Sequence, residues 1–313
     1  MRKPLKITLL TIGALLAIPV VTLATTSIVN VVATKSDLAA ITSYGTLVPV
    51  EGKQMNVVDT GGTGETIVLL PGLGTAAPGL DFGPLIDQLD GSYRVIAVEP
   101  FGTGLSDQTD SPRTSQNIAH EVHEALQQLG VDRYVLMGHS IAGIYALSYA
   151  AEYADELVAF VGIDSSVPNQ PGRDEPIPTD GLVALRDLGV IRALSWISGE
   201  TDPGPFDDRT AEQMRLLTTR NSTSPTMLDE MDRSRSNFGA ARDLAFPTTL
   251  PVLLFVVKND AELDGWRELH DKQAASVDHG QVVALDGEHY LHHTQSPAIA
   301  DDTAAFLESL PVR

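Results

Sequence analysis

Tyr134-Val135-Leu136-Met137-Gly138-His139-Ser140-Ile141-Ala142-Gly143 is the stretch from which the rest of this chain is read. An apolar, β-prone run stops at a serine framed by small residues, and a helix-forming run over 144–154 follows at once. A strand-to-helix turn this sharp has no room for bulk two residues either side of its apex, which accounts for Gly138 and Ala142. The turn lifts the serine hydroxyl out of the sheet to a helix N-terminus, where backbone N–H groups point outward. A serine nucleophile needs that placement, because the following N–H, that of Ile141, stabilises an oxyanion formed on attack. The pattern is G-x-S-x-A rather than G-x-S-x-G, and a serine in an ordinary tight βα turn leaves the same local signature.

The partners that a serine requires lie downstream. Its hydroxyl is a poor nucleophile until a base takes the proton, and the base needs a carboxylate to fix its tautomer. The strand-like run 251–257 leads into Lys258-Asn259-Asp260, and the run 281–285 leads into Asp286-Gly287-Glu288-His289-Tyr290. The chain order is therefore Ser140, Asp260, His289, with acid and base each just past the C-terminal end of a strand. In an open parallel sheet those ends line one edge, where ligands bind.

With these residues in view, the chain from about 46 to 310 resembles the α/β-hydrolase family. Leu69-Leu70-Pro71-Gly72-Leu73-Gly74 is similar to that family's first oxyanion loop, which implies that the backbone N–H of Leu73 joins that of Ile141 in an oxyanion hole. Glu99-Pro100-Phe101-Gly102-Thr103-Gly104-Leu105-Ser106 resembles its D-x-x-G-x-G-x-S segment, with Glu99 in place of the usual Asp. His289-Tyr290-Leu291-His292, followed by Pro297, resembles its catalytic histidine segment. The resemblance leaves the acid open. Lys258-Asn259 departs from the small residue that usually precedes it, and some relatives carry the acid where Asp164 ends the sixth strand. Asp164 equally suits a loop-capping role, and Asp264 is a further alternative.

Composition narrows the function classes. The 313 residues suit one catalytic domain with an insertion. A net charge of −20 argues against a nucleic-acid partner, and no Walker-type phosphate loop or internal repeat is found. No cysteine assists His289, His292 and His293, so neither metal nor cofactor is expected. Arg2, Lys3 and Lys6 precede 27 uncharged residues, 7–33, more than the roughly 20 that cross a bilayer as a helix. Such a run reads as an uncleaved anchor with the basic flank inside and the catalytic domain outside the cytoplasm. Pro19 and the Leu23-Ala24-Thr25 stretch leave a cleaved signal sequence and a secreted product as the alternative. Without the first 35 residues, 17 bases stand against 41 acids, a charge of −24, and zero cysteines exclude disulfides.

The organisation expected is a membrane segment over 1–35, a first part of the hydrolase core over 36–164, a helical cap over 165–249 and the rest of the core over 250–313. Residues 36–44 read as a tether and 46–59 as a hairpin. Strands over 66–70, 93–98, 134–137 and 157–163 alternate with helical patterns, notably 115–129, so a mostly parallel sheet covered by helices on both faces is predicted. The insertion shows short amphipathic segments over 182–198, 209–219 and 226–244. Leu194, Trp196, Ile197, Phe206, Met214, Met227 and Phe238 are expected as pocket residues, most of them packing the cap together. The resemblance implies a hydrolase of small-molecule carboxylic esters working through an acyl-enzyme. C–C hydrolase, amidase, perhydrolase and a slow-turnover ligand-binding module remain as alternatives.

Overall fold

The computed structural model describes residues 3–173, 175–198, 204–258 and 265–311. In chain order the strands are β1 (Thr46–Val50), β2 (Lys53–Asp59), β3 (Thr66–Leu70), β4 (Arg94–Glu99), β5 (Tyr134–His139), β6 (Leu157–Ile163), β7 (Val252–Val257) and β8 (Gly280–Leu285). The helices are α1 (Lys3–Ala40), α2 (Pro78–Asp81), α3 (Gly83–Leu89), α4 (Ser115–Gln128), α5 (Ala142–Tyr153) and α6 (Leu182–Asp187). They continue as α7 (Val190–Ser198), α8 (Asp208–Asn221), α9 (Pro225–Ala241), α10 (Trp266–Ala274), α11 (Leu291–Thr294) and α12 (Ser296–Ser309).

Two compact units are formed. One comprises Thr42–Pro178 with Pro203–Arg313, the other Met1–Ile41 with Thr179–Asp202. The larger unit holds the whole eight-stranded sheet, in the order β1-β2-β4-β3-β5-β6-β7-β8. The β1–β2 hairpin and the β2–β4 pair are antiparallel, and every pair from β4 to β8 is parallel. The expected α/β-hydrolase architecture is the one observed.

Why the sheet is covered on both sides follows from its strands. β5 is buried along its whole length and β3 along all but its first residue, so each presents apolar side chains to both faces. On one face Val68, Leu70 and Leu136 pack with α4 and α5; on the other Leu69, Val135 and Met137 pack with α3 and α12 residues such as Leu85 and Phe306. α4 shows the expected stripe, with Ile118, Val122, Ala125 and Leu126 buried, and Thr114 caps it by accepting the N–H of Asn117.

Two expectations are corrected. Residues 36–40, read as tether, continue α1, because Ser36-Asp37-Leu38-Ala39-Ala40 holds no Gly or Pro to stop a helix. The interval 165–249, expected as one cap, is divided: α6 and α7 belong with α1, whereas α8 and α9 belong to the sheet-bearing unit.

Glu99 ends β4 fully buried and ties four segments together. It accepts hydrogen bonds from Tyr44 Oη (2.6 Å), Asn56 Nδ2 (2.9 Å) and the backbone N–H groups of Gly79 (3.0 Å) and Leu105 (2.8 Å). A carboxylate one methylene shorter cannot span all four donors. Hydrogen bonds to a charged acceptor contribute about 1.5–3 kcal/mol each. Glu99→Asp is therefore expected to destabilise the larger unit by ~2–4 kcal/mol, read as a lowered Tm of the detergent-solubilised chain.

Candidate active site

Ser140 stands at the junction of β5 and α5 with φ +55°, a left-handed conformation that is uncommon for a residue with a Cβ. Its N–H donates to Ile163 O (3.2 Å), and its carbonyl accepts from Gly143 N–H (3.1 Å) and Ser166 N–H (2.7 Å). The bonds with Ile163 and Ser166 run to the end of β6, the parallel neighbour whose Ile163 pairs with His139. A Cβ on Gly138 would lie 2.9 Å from that of Ala142, so the small residues framing the serine are a steric requirement of the turn.

The loop after β3 closes on this apex. A Cβ on Gly72 would fall 3.0 Å from Ser140 Cβ and 2.8 Å from His139 Nδ1, so only glycine lets the backbone come this near. Leu73 follows in that loop, and Ile141 begins the turn into α5. Among the described residues neither N–H meets an acceptor, and both remain available as donors.

His289 lies beyond β8 with its side chain 47% exposed, while the carboxylate on its Nδ1 is buried. That carboxylate is Asp164. Its Oδ2 lies 2.6 Å from His289 Nδ1, and its Oδ1 accepts from Trp266 Nε1–H (2.7 Å) and Val257 N–H (3.1 Å). Asp164 also has positive φ, +42°, just past the end of β6. With three donors around it, the carboxylate cannot rotate without losing partners. Asp260, the acid first expected from the sequence, and Asp264 both lie outside the described residues. The residue brought onto His289 is the alternative acid, Asp164.

A second polar cluster supports the histidine segment. Asp81, at the end of α2, receives His292 Nε2–H (2.8 Å) on one oxygen and His293 Nε2–H (3.0 Å) on the other. Burial works to raise the Asp81 carboxyl, but the His292 and His293 hydrogen bonds outweigh it and hold the group well below the usual carboxylate range. Burial lowers His292, which is neutral near pH 7 and donates as N–H. His139 Nε2–H donates to the carbonyl of His289 (3.1 Å), and burial holds this imidazole neutral as well. The Asp81, His292 and His293 donor atoms lie within 4.8 Å of one another, as a metal site would require. The two N–H···carboxylate bonds are an alternative account of the same grouping.

A small cavity is lined by Leu70, Pro71, Gly72 and Gly74, by Pro100 and Thr103, and by Ile118, Tyr145, Met227 and Glu230 from α4, α5 and α9. Tyr145 Oη donates to Glu230 Oε1 (2.8 Å), and burial pushes the Glu230 carboxyl up against the opposing pull of Arg113 and Tyr145. Of the seven residues expected to form the pocket, Met227 lines this cavity, and Phe238 is buried in the core on α9. Phe206 meets the His293 ring edge-on at 5.1 Å. Leu194, Trp196 and Ile197 are exposed members of the other unit and do not line it. Sequence reasoning missed Asp81, Trp266 and Glu230. The His292-His293 doublet was the one available signal, since two adjacent imidazoles under a sheet edge require a polar partner.

Comparison with known proteins agrees with this geometry. The model of the "Alpha/beta hydrolase family" matches residues 67–302. The uncharacterised protein YbdG of Bacillus subtilis (strain 168) is 25% identical over 289 residues, which is 88% of this chain and 89% of YbdG. A 2-hydroxy-6-oxononadienedioate/2-hydroxy-6-oxononatrienedioate hydrolase of Paraburkholderia phymatum is 29% identical over 190 residues, 59% of this chain and 60% of that enzyme. Among solved structures, wild-type Cfl2 from Burkholderia cenocepacia superposes with a TM-score of 0.65 at 21% identity, covering 83% of this chain and 94% of its own.

The Asp81 cluster makes a pH-dependent prediction. Because the folded state depresses the Asp81 pKa, its contribution is complete above the ordinary aspartate value of about 3.9 and is lost as pH falls below it. Asp81→Asn should cost ~1–3 kcal/mol near neutrality. Thermal melts of the two proteins should converge as the pH is lowered from about 4 toward 3.

Proposed function

The chain belongs to the alpha/beta hydrolase family, and from that premise we propose that it is a serine hydrolase of carboxylic esters. The observation that carries the reading is the His289 Nδ1–Asp164 Oδ2 hydrogen bond of 2.6 Å beside the positive-φ turn of Ser140. With Nδ1–H given to Asp164, the lone pair of His289 Nε2 is left to take the Ser140 proton. Ser140 Oγ then attacks the ester carbonyl, and the N–H groups of Leu73 and Ile141 receive the developing oxyanion. The protonated His289 gives its proton to the leaving alkoxide. Water, deprotonated by the same imidazole, releases the acid from Ser140.

A C–C bond hydrolase is the second reading, favoured by the similarity to the Paraburkholderia phymatum enzyme. That enzyme's name gives it a dioate substrate. The cavity of this chain is lined by apolar groups, Thr103, Tyr145 and the buried Glu230, with no basic side chain among its described lining residues to neutralise a second carboxylate. An uncharged acyl or alcohol group, hydrogen-bonded at its far end by the Tyr145–Glu230 pair, suits such a wall better. We further propose that α1 holds the protein in a membrane. Its stretch Ala17–Ala40 is apolar with a mean hydropathy of 1.7, and Arg2, Lys3 and Lys6 on its flank favour a catalytic unit outside the cytoplasm.

Ser140→Ala is expected to abolish fluorophosphonate labelling and turnover of p-nitrophenyl esters while leaving Tm unchanged. Asp164→Asn should lower kcat by about 10⁴-fold, the cost of losing the carboxylate that orients a triad histidine. Asp260→Asn should lower it by less than about tenfold. A severe loss in the Asp260 variant with a mild one at Asp164 would move the acid. Efficient cleavage of a vinylogous 1,5-diketone with no ester turnover would favour the C–C reading.

A further inference from the structure

Among the described residues, every large apolar side chain that is exposed belongs to α1 or to the α6–α7 segment, apart from Leu47 and Tyr290. The α6–α7 residues include Leu194, Ile197 at 77% exposure and Trp196 at 87%. These side chains belong to the same compact unit as a helix long and apolar enough to cross a membrane.

The contacts inside this unit are specific. α1 carries a polar stripe, Thr26, Asn30, Thr34 and Asp37, at helical spacing, with Ser27 beside it. Thr22 and Thr25 satisfy their hydroxyls on carbonyls four residues back in α1. Thr26, Ser27 and Asn30 reach across to the terminal carbonyls of the α6 turn: Thr26 Oγ1 to Leu188 O (2.7 Å), Ser27 Oγ to Asp187 O (2.9 Å) and Asn30 Nδ2 to Arg186 O (2.8 Å), with Thr26 Oγ1 also 3.0 Å from Leu23 O in α1. Arg186 O also accepts the N–H of Gly189 (2.8 Å), whereas the Asp187 and Leu188 carbonyls stand at a helix end, where intrahelical partners run out. Arg192, on α7, donates to Asn30 Oδ1 (2.9 Å), Thr34 Oγ1 (3.1 Å) and Asp37 Oδ2 (2.8 Å). Gly189 sits between α6 and α7 at φ +72°, and a Cβ there would lie 2.4 Å from Thr26 O. The two backbones touch, as they do where small residues let membrane helices close on one another.

Thr26 lies eight residues before the end of the uncharged run at Thr34, roughly 12 Å along the helix axis at 1.5 Å per residue. In hydrocarbon an unpaired carbonyl costs several kcal/mol, so a segment that meets the helix at this depth must have its polar ends capped. α6 and α7 meet that requirement through α1 and turn apolar side chains outward. We propose that the α6–α7 segment is embedded in the outer leaflet of a lipid bilayer, docked along α1, with Trp196 and Ile197 in the acyl-chain and headgroup boundary. Arg192 and Asp37 then sit at headgroup level, and an indole at that boundary is a favoured anchor. The inference rests on the reading of α1 as a retained membrane helix. It adds that part of the insertion between β6 and β7 is a lipid-binding device.

The test uses the full chain and its Trp196→Phe variant, reconstituted in vesicles of phosphatidylcholine with a minor fraction of phosphatidylglycerol. Trp266 is the one other tryptophan, so the difference between the two emission spectra isolates Trp196. That component should be blue-shifted, lose most of its intensity in vesicles with acyl chains brominated near the headgroup, and resist aqueous acrylamide. Quenching by acrylamide and not by bromolipid would overturn the inference, and so would resistance to both, which would mark a protein partner or a second copy as the cover. Alkaline carbonate extraction and N-terminal sequencing separate the two failures. A chain retained in the membrane with α1 intact but Trp196 in water removes this inference alone, whereas a chain shortened at α1 and released removes the anchor as well.

Discussion

Ser140 holds a backbone conformation, φ +55°, that an L-residue adopts at a cost, and the surrounding residues are chosen to hold it there. Such a conformation persists only where neighbours over-determine it. Here three hydrogen bonds to the Ser140 peptide groups, the absence of a side chain at Gly138 and the close approach of Gly72 do so. The sheet supplies the frame: β5 and β6 are parallel neighbours paired from Tyr134↔Leu157 to His139↔Ile163. The end of β6 therefore lies directly beside the turn that ends β5. The strain at Ser140 and the position of Asp164 are two consequences of one strand pairing.

That pairing also explains the rigidity of the site. Asp164 leaves β6 with its carboxylate held by Trp266 from α10, Val257 from the end of β7 and His289 from beyond β8. Three separate elements thus fix one carboxylate, and the carboxylate fixes the tautomer of an exposed imidazole. Asp81 does the corresponding work at the next segment, joining α2 to Leu291–Thr294 through His292 and His293.

Much of this was legible in the sequence, and what was not has a physical reason. Strands with all-apolar runs and the amphipathic 115–129 segment declare themselves by periodicity, and the elbow around Ser140 by the size of its flanking residues. His289 was found because a strand run ends just before it. Asp164 and Asp260 both follow strands, and the resemblance put Asp260 first. What brings Asp164 to His289 is the adjacency of β5 to β6 and a carboxylate held by the indole of Trp266, which is 102 residues away. The division of the insertion was hidden for the same reason. Gly189 reads as a minor break in an amphipathic stretch until its contact with Thr26 is known. Polar residues inside the apolar run, Thr26 and Asn30, were the signal that α1 has a partner.

The central claim is that Ser140, His289 and Asp164 act as one unit facing the N–H groups of Leu73 and Ile141. A crystal structure of the fluorophosphonate adduct tests it most directly. The account predicts phosphorus bonded to Ser140 Oγ, a phosphoryl oxygen about 2.7–3.1 Å from both N–H groups, and Asp164 still on His289 Nδ1. An adduct on another residue, or a His289 ring turned onto Asp260 with Asp164 left behind, would contradict it.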